Sequence, residues 1–547
     1  RNYFDGVNAS SVLGYGNDTI DITNDKDIKT VSGGVTGNVT GIYTNNVLAL
    51  ANSSVNLTSA SNIDLKGTGN IIGVFAGKTN LTSAGTIKAE SASGGNAVGI
   101  YGEESTSSSI TGNIEVTGGD GTGIYLKNSN MSSGAAVKVD GVDSGIGMYV
   151  EATAGNTSSG TNTGTISVGD NVTGMYGIGA SAGNTGTITN SGTIQSLPLS
   201  ADKAIGMYIG AHGSGVNAGN IRLTAVGTDK DQVGVYNHSG TFSMGSGNIE
   251  VYSQNGAGLY AKAGTVNNLS GGIIKTGSGA IGLYADNGAT IQLSGTYKSV
   301  VDNGGIFALN NGSGNINIPV GNNIVVDVEA GGMAFSSTGA LNTYLSSLVT
   351  GGGTLEVNLK DPTSKLAILD TPGTILLSSL GSAYAPGATI TPQVKISSSS
   401  NPNYTPFSIT KGTLIVDQAV SLNNAADSYN KSDFINSSVD VNSSITGSNT
   451  GQLGVGQVNY GTGAAPADRA RITINNNNVI DMSGNKSTGI LADFGDITNT
   501  GAGSFIKVTG EESVGIYGAN GTVITNAGTV NIGNKSVGIY GVNYLTT

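Results

Sequence analysis

The sequence predicts an all-β fold in which the chain winds as a right-handed parallel β-helix, a β-solenoid of about 24 residues per coil with an irregular excursion in the middle. Three observations predict it. A short phrase, Gly followed by an aliphatic residue and then Tyr or Phe, recurs through most of the chain. The residues between copies are rich in β-branched side chains, which favour strands. Gly and Asn separate these runs and supply the positive φ angles that sharp corners need.

The repeated phrase sets the period of the winding. Its copies begin at Gly41, Gly73, Gly99, Gly123, Gly147, Gly174, Gly206, Gly234, Gly258, Gly282 and Gly305, and again at Gly515 and Gly538. Gly332 and Gly489 begin weaker copies. A fixed period with tolerated insertions is typical of solenoids, and the β-branched, Gly-rich content excludes the helical repeats.

One coil can be divided into strands at the end of the chain, between Gly515 and Gly538. Three short runs at 513–517, 522–525 and 529–532 are separated by Gly-Ala-Asn-Gly and Asn-Ala-Gly. Three strands and three corners per coil predict a parallel β-helix, in which each coil buries its inward face only by lying on a neighbour.

The residues on either side of the repeated Gly are mostly apolar, as at Val98 and Ile100. Because side chains alternate along a strand, we predict that both face the core and that Gly and Tyr share the outer face. Tyr101, Tyr125 and Tyr149 should then form an external stack with a spacing of about 4.8 Å. Such a row could bind sugars or peptides, or could simply shield the backbone and stabilise the coils.

A second regularity lies four residues after the repeated Gly. Where the spacing is strictly 24 residues, this position reads Glu103, Lys127, Glu151 and then His238, Lys262, Asp286. Opposite charges on neighbouring coils would avoid the like-charge contacts of in-register stacking. Chance on a solvated corner would give the same pattern.

The period divides the chain into three predicted segments. Residues 1–340 and 472–547 are predicted to be parallel β-helix. Residues 341–471 are predicted to be an irregular Pro-containing insertion or degenerate coils, because six of the nine Pro residues lie between Pro362 and Pro406. Pro interrupts ladder hydrogen bonds, and excursions from a rigid scaffold often carry function.

Composition excludes several classes of partner. The formal charge is −12, which disfavours nucleic acid and anionic membrane surfaces. The chain has no Cys, so it contains no disulfide and no thiolate metal site. No apolar run approaches the roughly 18 residues of a transmembrane helix, so direct membrane insertion by this segment is not expected. The first residues do not begin a signal peptide, so the sequence is interpreted as an interior piece of a longer protein.

Candidate catalytic and metal motifs are weak. Gly179-Ala-Ser-Ala-Gly183 matches a nucleophile elbow in spelling, with His212 or His238 as the available bases, but no helix is predicted beside it. The turn 118–122 has one copy of a calcium-type pattern where several are needed. The acidic neighbours are Glu103-Glu104, Glu511-Glu512 and Asp229-Lys230-Asp231. We predict no enzyme, assign no catalytic, cofactor-binding or metal residue, and leave ligand-binding residues unknown.

Copies such as "GNAVGIYGEE", "DSGIGMYVEA" and "KSVGIYG" resemble the passenger domain of large type Va, monomeric autotransporter adhesins, especially fusobacterial-type outer-membrane adhesins. The resemblance covers most of residues 35–335 and 475–547. It implies an extracellular passenger at the bacterial cell surface, secreted through a C-terminal β-barrel translocator. It also implies partners among host-cell surface proteins or glycans, or partner bacteria.

The expected function is therefore attachment to host cells or other bacteria by an extended β-helical rod with contacts on its loops. Two alternatives stay open at this stage. One is a polysaccharide-active β-helix enzyme, which needs carboxylates converging in a groove. The other is a purely structural stalk that carries a binding region located elsewhere.

Overall fold

A computed structural model describes residues 8–337 and 349–543 with internal gaps. The gaps are residues 17–20, 31–35, 47–52, 59, 93–94, 106, 141–143, 199–200, 225–230, 352, 362, 370–373, 377–392, 397–406, 410–411, 418, 423–430, 433–436, 458–471 and 502. The residues between these gaps contain strands and turns but no helix, so none of them forms a helix that could cross a membrane.

The chain divides into two compact units. The first comprises Arg1–Lys298 with Asn311–Gly314, and the second comprises Ser299–Asn310 with Asn315–Thr547. Both are β-solenoids of parallel strands, so the predicted fold class is confirmed, with roughly 26 residues per turn instead of 24.

In the first unit, every third strand along the chain belongs to the same sheet, so the strands form three parallel sheets. The first sheet contains Asn8–Gly16, Asn38–Asn46, Ile71–Gly77, Ala97–Glu103, Asp120–Lys127, Ser144–Ala152, Val172–Gly179, Ile205–Ile209, Val233–Asn237, Ala257–Ala261 and Ile281–Ala285. The second sheet contains Asp21–Asn24, Ser54–Leu57, Asn80–Ser83, Ser108–Ile110, Asn130–Ser133, Ser158–Asn162, Gly186–Asn190, Gly213–Asn217, Thr241–Met244, Val266–Leu269 and Thr290–Leu293. The third sheet contains Ile28–Lys29, Ile63–Gly67, Ile87–Ser91, Ile114–Thr117, Ala136–Asp140, Thr165–Val168, Thr193–Ser196, Asn220–Leu223, Asn248–Tyr252 and Ile273–Gly277.

The strand Lys298–Val301 crosses the boundary between the units. The second unit then begins with three ladders: Ile306–Asn310, Met333–Ser337, Lys365–Leu369 and Phe407–Ile409; Asn315–Ile318 and Val349–Gly351; Asn323–Val328, Thr354–Leu359 and Gln393–Ile396. Three further ladders complete it: Thr374–Leu376, Gly412–Val416, Ser437–Val441, Ile472–Asn476, Gly495–Asn499 and Val523–Asn526; Val420–Leu422, Ile445–Gly447, Val479–Met482, Phe505–Val508 and Thr529–Ile532; Lys431–Ser432, Leu453–Gln457, Thr488–Asp493, Val514–Ala519 and Val537–Val542.

The strand register places equivalent residues of successive coils side by side. Ile100 pairs with Ile124, and Ile124 pairs with Met148, each 24 residues further along the chain. All three side chains are fully buried. The prediction that these residues are stacked neighbours is confirmed, and the three short strands predicted between 513 and 532 are observed in nearly the same places.

The repeated Gly breaks the alternation of side chains along the first sheet. Gly99 and Ile100 are both buried, while Val98 and Tyr101 are partly exposed. A Cβ atom on Gly99 would lie 2.5 Å from Ile114 Cγ2 and 2.6 Å from the Gly123 carbonyl oxygen, so only a hydrogen fits there. Two successive residues therefore lie on the inner side.

This break corrects two predictions. The residue before the repeated Gly is not a core residue, and the Gly itself does not share the outer face with Tyr. The partly exposed residues at the preceding position include Val98, Ile146, Ile205 and Val233. The residue after the Gly is buried as predicted, for example at Ile100, Met148, Met207 and Val235.

The copies assigned to Gly305 and Gly332 are displaced by two residues. The strand Ile306–Asn310 has the same burial order as Ile281–Ala285, with Phe307 in the place of Gly282 and Ala308 in the place of Leu283. Ala334 takes the same place in the next coil, because Ile306 pairs with Met333 and Ala308 with Phe335. Of these two coils, only the one with Phe307 and Ala308 has the large inward side chain before the small one.

The segment 341–471 contains described strands that continue the parallel pairing. Thr354–Leu359 pairs with Asn323–Val328, and Leu453–Gln457 pairs with Thr488–Asp493. Gly454 is a further copy of the repeated Gly, since a Cβ atom there would lie 2.6 Å from the Gly489 carbonyl oxygen. This copy is not evident from the sequence because Gly456 stands two residues after Gly454, where the repeated phrase has Tyr or Phe. The predicted boundaries at 340 and 471 stay predictions.

Buried polar side chains line the corners between sheets. Asn162 Nδ2 donates to Asn190 Oδ1 at 2.8 Å, and Asn190 Nδ2 donates to Asn217 Oδ1 at 2.9 Å. All three residues are fully buried. An amide has both a donor and an acceptor, so the same bond can repeat from coil to coil and satisfy every buried group. Asn476 and Asn499 form an equivalent bond in the second unit.

Candidate functional site

The outer face of the first sheet in the first unit, here called the aromatic face, carries a continuous row of rings. Adjacent ring centroids are 4.5–5.2 Å apart, and the ring planes are inclined by 5–22°. The row consists of Tyr43, Phe75, Tyr101, Tyr125, Tyr149, Tyr176, Tyr208, Tyr236, Tyr260 and Tyr284. The predicted external stack is confirmed, and every ring in it is partly exposed.

A second row runs beside the rings on the aromatic face. Its members precede the repeated Gly, are partly exposed, and are in register from coil to coil. They are Ile72, Val98, Thr122, Ile146, Thr173, Ile205, Val233 and Ile281. Because the break at the repeated Gly turns these side chains outward, the two rows form a surface of phenol edges and β-branched groups, and Glu103, Lys127 and Glu151 follow the rings in the same strands.

Burial and neighbouring carboxylates change the titration of the ring row. Partial burial raises the pKa of Tyr125 well above its ordinary value, and a hydrogen bond from its phenol to the Glu151 carboxylate raises it further. Burial also raises the pKa of Tyr149 and Tyr208 to about 12. For Tyr260 the pKa is raised to about 12 by burial and then by the charge of Asp286. These four phenols are therefore neutral at physiological pH.

The alternating charges four residues after the repeated Gly form contacts in both sets. Lys127 Nζ lies 2.9 Å from Glu103 Oε1, so the first set forms the expected ion pair. In the second set, the His238 ring lies 6.1 Å from the Tyr208 ring, and Asp286 accepts a hydrogen bond from Asn311. In this second set, the contacts of His238 and Asp286 are therefore with the ring row and the next corner.

The outer face of the second sheet, here called the hydroxyl face, has a different chemistry. Its strands from Ser54–Leu57 to Thr290–Leu293 contain no Asp, Glu, Lys or Arg. Two in-register rows of small polar side chains cover it, interrupted by Val216 and Val266. The rows contain Ser54, Asn80, Asn130, Ser159, Thr187, Ser214, Thr241 and Thr290, and beside them Asn56, Thr82, Ser109, Ser132, Thr161, Thr189, Ser243, Asn268 and Gln292.

The outer face of the third sheet, here called the charged face, carries in-register rows of acidic and basic residues. One row reads Asp64, Lys88, Glu115 and Lys138 in register, and later Arg222, Glu250 and Lys275. The sign alternates at each step. Arg222 Nε lies 2.9 Å from Glu250 Oε2, and Lys66 pairs with Glu90 in the neighbouring row.

The candidate nucleophile motif at residues 179–183 has no catalytic geometry. Ser181 lies in a tight turn closed by a bridge to Asn184, and its hydroxyl donates to Asn184 Oδ1 at 2.8 Å. His212 lies at a corner with a positive φ of 52°, and His238 Nδ1 lies 3.0 Å from the Ser239 hydroxyl. The structure therefore gives Ser181 an amide partner instead of an imidazole base.

The acidic residues of the turn 118–122 and of the acidic neighbours named above make surface contacts. Asp120 accepts a hydrogen bond from Ser144 at 2.6 Å, and Glu104 pairs with Lys78. Glu511 and Glu512 pair with Lys535 and Lys486 respectively. Asp229 and Lys230 lie outside the described residues. Across the described part of the chain, no group of three or more His, Asp or Glu side chains could hold a metal ion.

Three features of these surfaces were missed from the sequence. They are the buried Asn bonds, the uncharged second sheet and the alternating row on the third sheet. Their offsets from the repeated Gly are not constant: Asn162, Asn190 and Asn217 lie 15, 16 and 11 residues after the Gly of their coils. Insertions at the corners, which lengthen the period to 27 or 32 residues, hide these columns from a search for equal offsets.

Comparison with models of known protein families gives no match, and no curated protein compared with the chain matches it.

Proposed function

We propose that this chain is a segment of a cell-surface adhesin passenger, which attaches a bacterium to host cells or to other bacteria. The proposal rests on the resemblance of the repeated phrase to type Va autotransporter adhesins and on the β-solenoid fold. In this role the coils are a rigid scaffold, and the contacts with a receptor are made by the residues that interrupt the coils. The receptor is a cell-surface protein or glycan.

One observation carries the proposal. The coils keep the same register while extra residues enter at their corners, so contact loops can vary without disturbing the core. The turn around Ser181 and Asn184 is an example: a Cβ atom on Gly183 would meet no atom within 4 Å, and the strand that follows still pairs in register. Function is commonly carried by loops that a rigid scaffold positions.

The segment 341–471 contains strands that continue the ladders, and the residues between those strands are the proposed contact region. Its Pro residues between Pro362 and Pro406 are suited to loops that leave the ladders. Weak contacts made by many copies on one cell would add to a strong attachment.

The test is a binding assay with the full chain and two replacement variants. In the first variant, residues 341–471 are replaced by copies of the regular coils 97–144. In the matched control, the turn residues 180–184 are replaced by a two-residue Gly-containing corner, which shortens a different interruption. Each protein is checked for strand content by circular dichroism and titrated onto host cells, partner bacteria and immobilised cell-surface glycoproteins.

We expect saturable binding by the full chain and by the control, and its loss in the first variant. Equal binding by all three proteins would show that 341–471 is not the contact region. No binding by any of them would contradict the adhesin proposal and would favour a stalk.

A stalk is the second candidate, and one feature of the structure favours it. The faces of the aromatic rings are occupied by neighbouring rings, and charged residues on the third sheet pair with each other. A sugar would bind a ring through its face, so the ring row offers such a ligand only phenol edges along most of its length. Under this alternative the scaffold carries a binding region located elsewhere.

A further inference from the structure

The ring row has a second chemical property that does not depend on adhesion. Its tyrosines are stacked and partly exposed, and Tyr125 is hydrogen-bonded to a carboxylate. We propose that the aromatic face is a site of oxidative tyrosine cross-linking, in which a peroxidase and hydrogen peroxide join Tyr125 to a ring stacked against it, at Tyr101 or Tyr149.

Stacking brings the reacting carbons together. The Tyr125 ring centroid lies 4.6 Å from that of Tyr101 and 4.8 Å from that of Tyr149, with the planes inclined by 15° and 12°. The ring carbons ortho to each hydroxyl therefore lie beside those of the adjacent tyrosine ring. Holding two reactants in this way replaces an encounter between chains by a reaction within one chain.

A neighbouring carboxylate determines which tyrosine of the ring row reacts. Oxidation of a phenol at neutral pH requires loss of its proton together with an electron. The Tyr125 phenol already donates to Glu151, so the proton has an acceptor in place. Burial and then the charge of Asp286 raise the pKa of the Tyr260 phenol, and the Tyr260 ring lies 4.7 Å from that of Tyr284. These two places on the aromatic face are therefore the expected sites.

The reaction balances with one hydrogen peroxide. Each of two tyrosines loses one electron and its phenolic proton, and the two radicals form a carbon–carbon bond between ortho carbons. Each ring then moves its ortho hydrogen to oxygen, which restores both phenols. The two electrons and two protons reduce one hydrogen peroxide to two waters through the peroxidase.

The product would tie neighbouring coils together. Tyr101, Tyr125 and Tyr149 are 24 residues apart in the chain, so each bond closes a loop of one coil. A covalent link of this kind restricts the unfolded chain more than the folded one. The cross-linked protein should therefore unfold at a higher urea concentration than the untreated protein.

The test treats the full chain at low concentration with horseradish-type peroxidase and hydrogen peroxide. Dityrosine is measured by fluorescence, monomers are separated from oligomers, and the linked peptides are identified by mass spectrometry. The same treatment in urea supplies the unfolded reference. We expect the folded monomer to form dityrosine at least about tenfold faster than the unfolded chain, because stacking supplies the proximity.

Two variants and one internal control separate the roles of stacking and proton transfer. Tyr125→Phe keeps the ring but has no phenol, so its links to 101 and 149 should disappear. Glu151→Gln removes the proton acceptor and should move the reaction to the site at Tyr260. The pair Tyr176 and Tyr208 is the internal control, because its centroids are only 4.5 Å apart and, within the described residues, neither phenol donates to a carboxylate.

Linked peptides at 101, 125 and 149 in the native chain, reduced in Glu151→Gln, would support the proposal. Equal yields from the folded and the unfolded chain would overturn it, as would links found only between chains. Links at 176 and 208 as abundant as those at 125 would overturn the role of the carboxylate. The cell-binding assay does not enter this result, so the two proposals fail independently.

Discussion

The aromatic face and the charged face of the first unit are formed by the same winding, yet they follow opposite rules. From Tyr101 to Tyr149 each coil repeats the same residue on the aromatic face. From Asp64 to Lys138 each coil reverses the sign on the charged face. In both cases the register places equivalent residues directly beside each other.

The difference shows which residue types can occupy equivalent surface positions on successive coils of an in-register solenoid. Neighbouring strands are about 4.8 Å apart, so each side chain meets its own equivalent at contact distance. Stacked uncharged rings attract each other, whereas like charges directly opposite each other repel. A residue type can therefore repeat on every coil only if it is attracted to itself, and charged positions must alternate.

Alkaline pH should have the largest effect, because it would turn the aromatic face into a face of like charges. The pKa of Tyr149, Tyr208 and Tyr260 is raised from 10.0 to about 12 in the folded chain. The folded chain thus holds these protons more tightly than the unfolded chain. Their contribution to stability is complete below pH 10 and is lost as the pH rises from 10 through about 12.

This prediction is checked by measuring the urea midpoint of unfolding and the phenolate absorbance across that pH range. A double variant with Tyr149→Phe and Tyr208→Phe removes two of the titrating groups and should show a smaller fall. A urea midpoint that stays constant up to pH 12 would contradict the prediction.

The next largest effect is expected at the repeated Gly, which holds the first sheet against the third. In Gly123→Ala the new Cβ would lie 2.5 Å from both the Gly147 carbonyl oxygen and Val137 Cγ1. Overpacking against backbone should lower the free energy of unfolding by about 3 kcal/mol. The matched control is Gly183→Ala, where a Cβ would meet no atom within 4 Å.

Urea unfolding of the two proteins gives the comparison. Stability of Gly123→Ala within error of the control would mean that the close approach of the coils at this position is wrong.

A smaller effect is expected when one ring is removed from the stack. Tyr176 lies between Tyr149 and Tyr208, at centroid distances of 5.0 and 4.5 Å. Tyr176→Leu removes both ring contacts and should cost about 1–3 kcal/mol of unfolding free energy, since each aromatic pair contributes about 0.5–1.5 kcal/mol. Tyr176→Phe keeps the ring and should be nearly neutral. If both variants lose the same stability, the hydroxyl and not the stacking is responsible.

The smallest effect is expected from a charge reversal on the charged face. Lys66 pairs with Glu90, and both side chains are substantially exposed. Lys66→Glu places two carboxylates side by side and should cost about 0.2–1 kcal/mol. The swapped variant with Lys66→Glu and Glu90→Lys restores opposite signs and should recover that loss. Failure of the swap to recover stability would show that alternation of charge has no energetic basis here.

Much of the fold could be predicted from the repeated phrase, because the same phrase must recur wherever coils stack in register. The phrase correctly placed Ile100, Ile124 and Met148 in one buried column and Tyr101, Tyr125 and Tyr149 in one external stack. The copies at 305 and 332 were misplaced by two residues, since Phe307 and Ala334, and not the two glycines, lie at the position of Gly282. Only packing volume reveals that exchange.

The candidate sites were less predictable. The outward direction of Val98 depends on the close approach of Gly99 to Ile114, and simple alternation predicts the opposite. The bond from Tyr125 to Glu151 joins residues 26 positions apart, on adjacent coils but at different offsets from the repeated Gly. A search for equal offsets does not find such a pair.

The sequence by itself determined the winding, its approximate period and the columns that contain Ile100 and Tyr101. The physical reason is that stacked coils require compatible residues at every equivalent position, so the contacts are written into the chain as a repeat. The tertiary structure alone decided that the residue before the repeated Gly faces outward, where large and small core residues exchange places, and which carboxylate meets which phenol. Those outcomes depend on small differences in the distances between atoms of neighbouring coils. A pattern of residue types does not contain these distances.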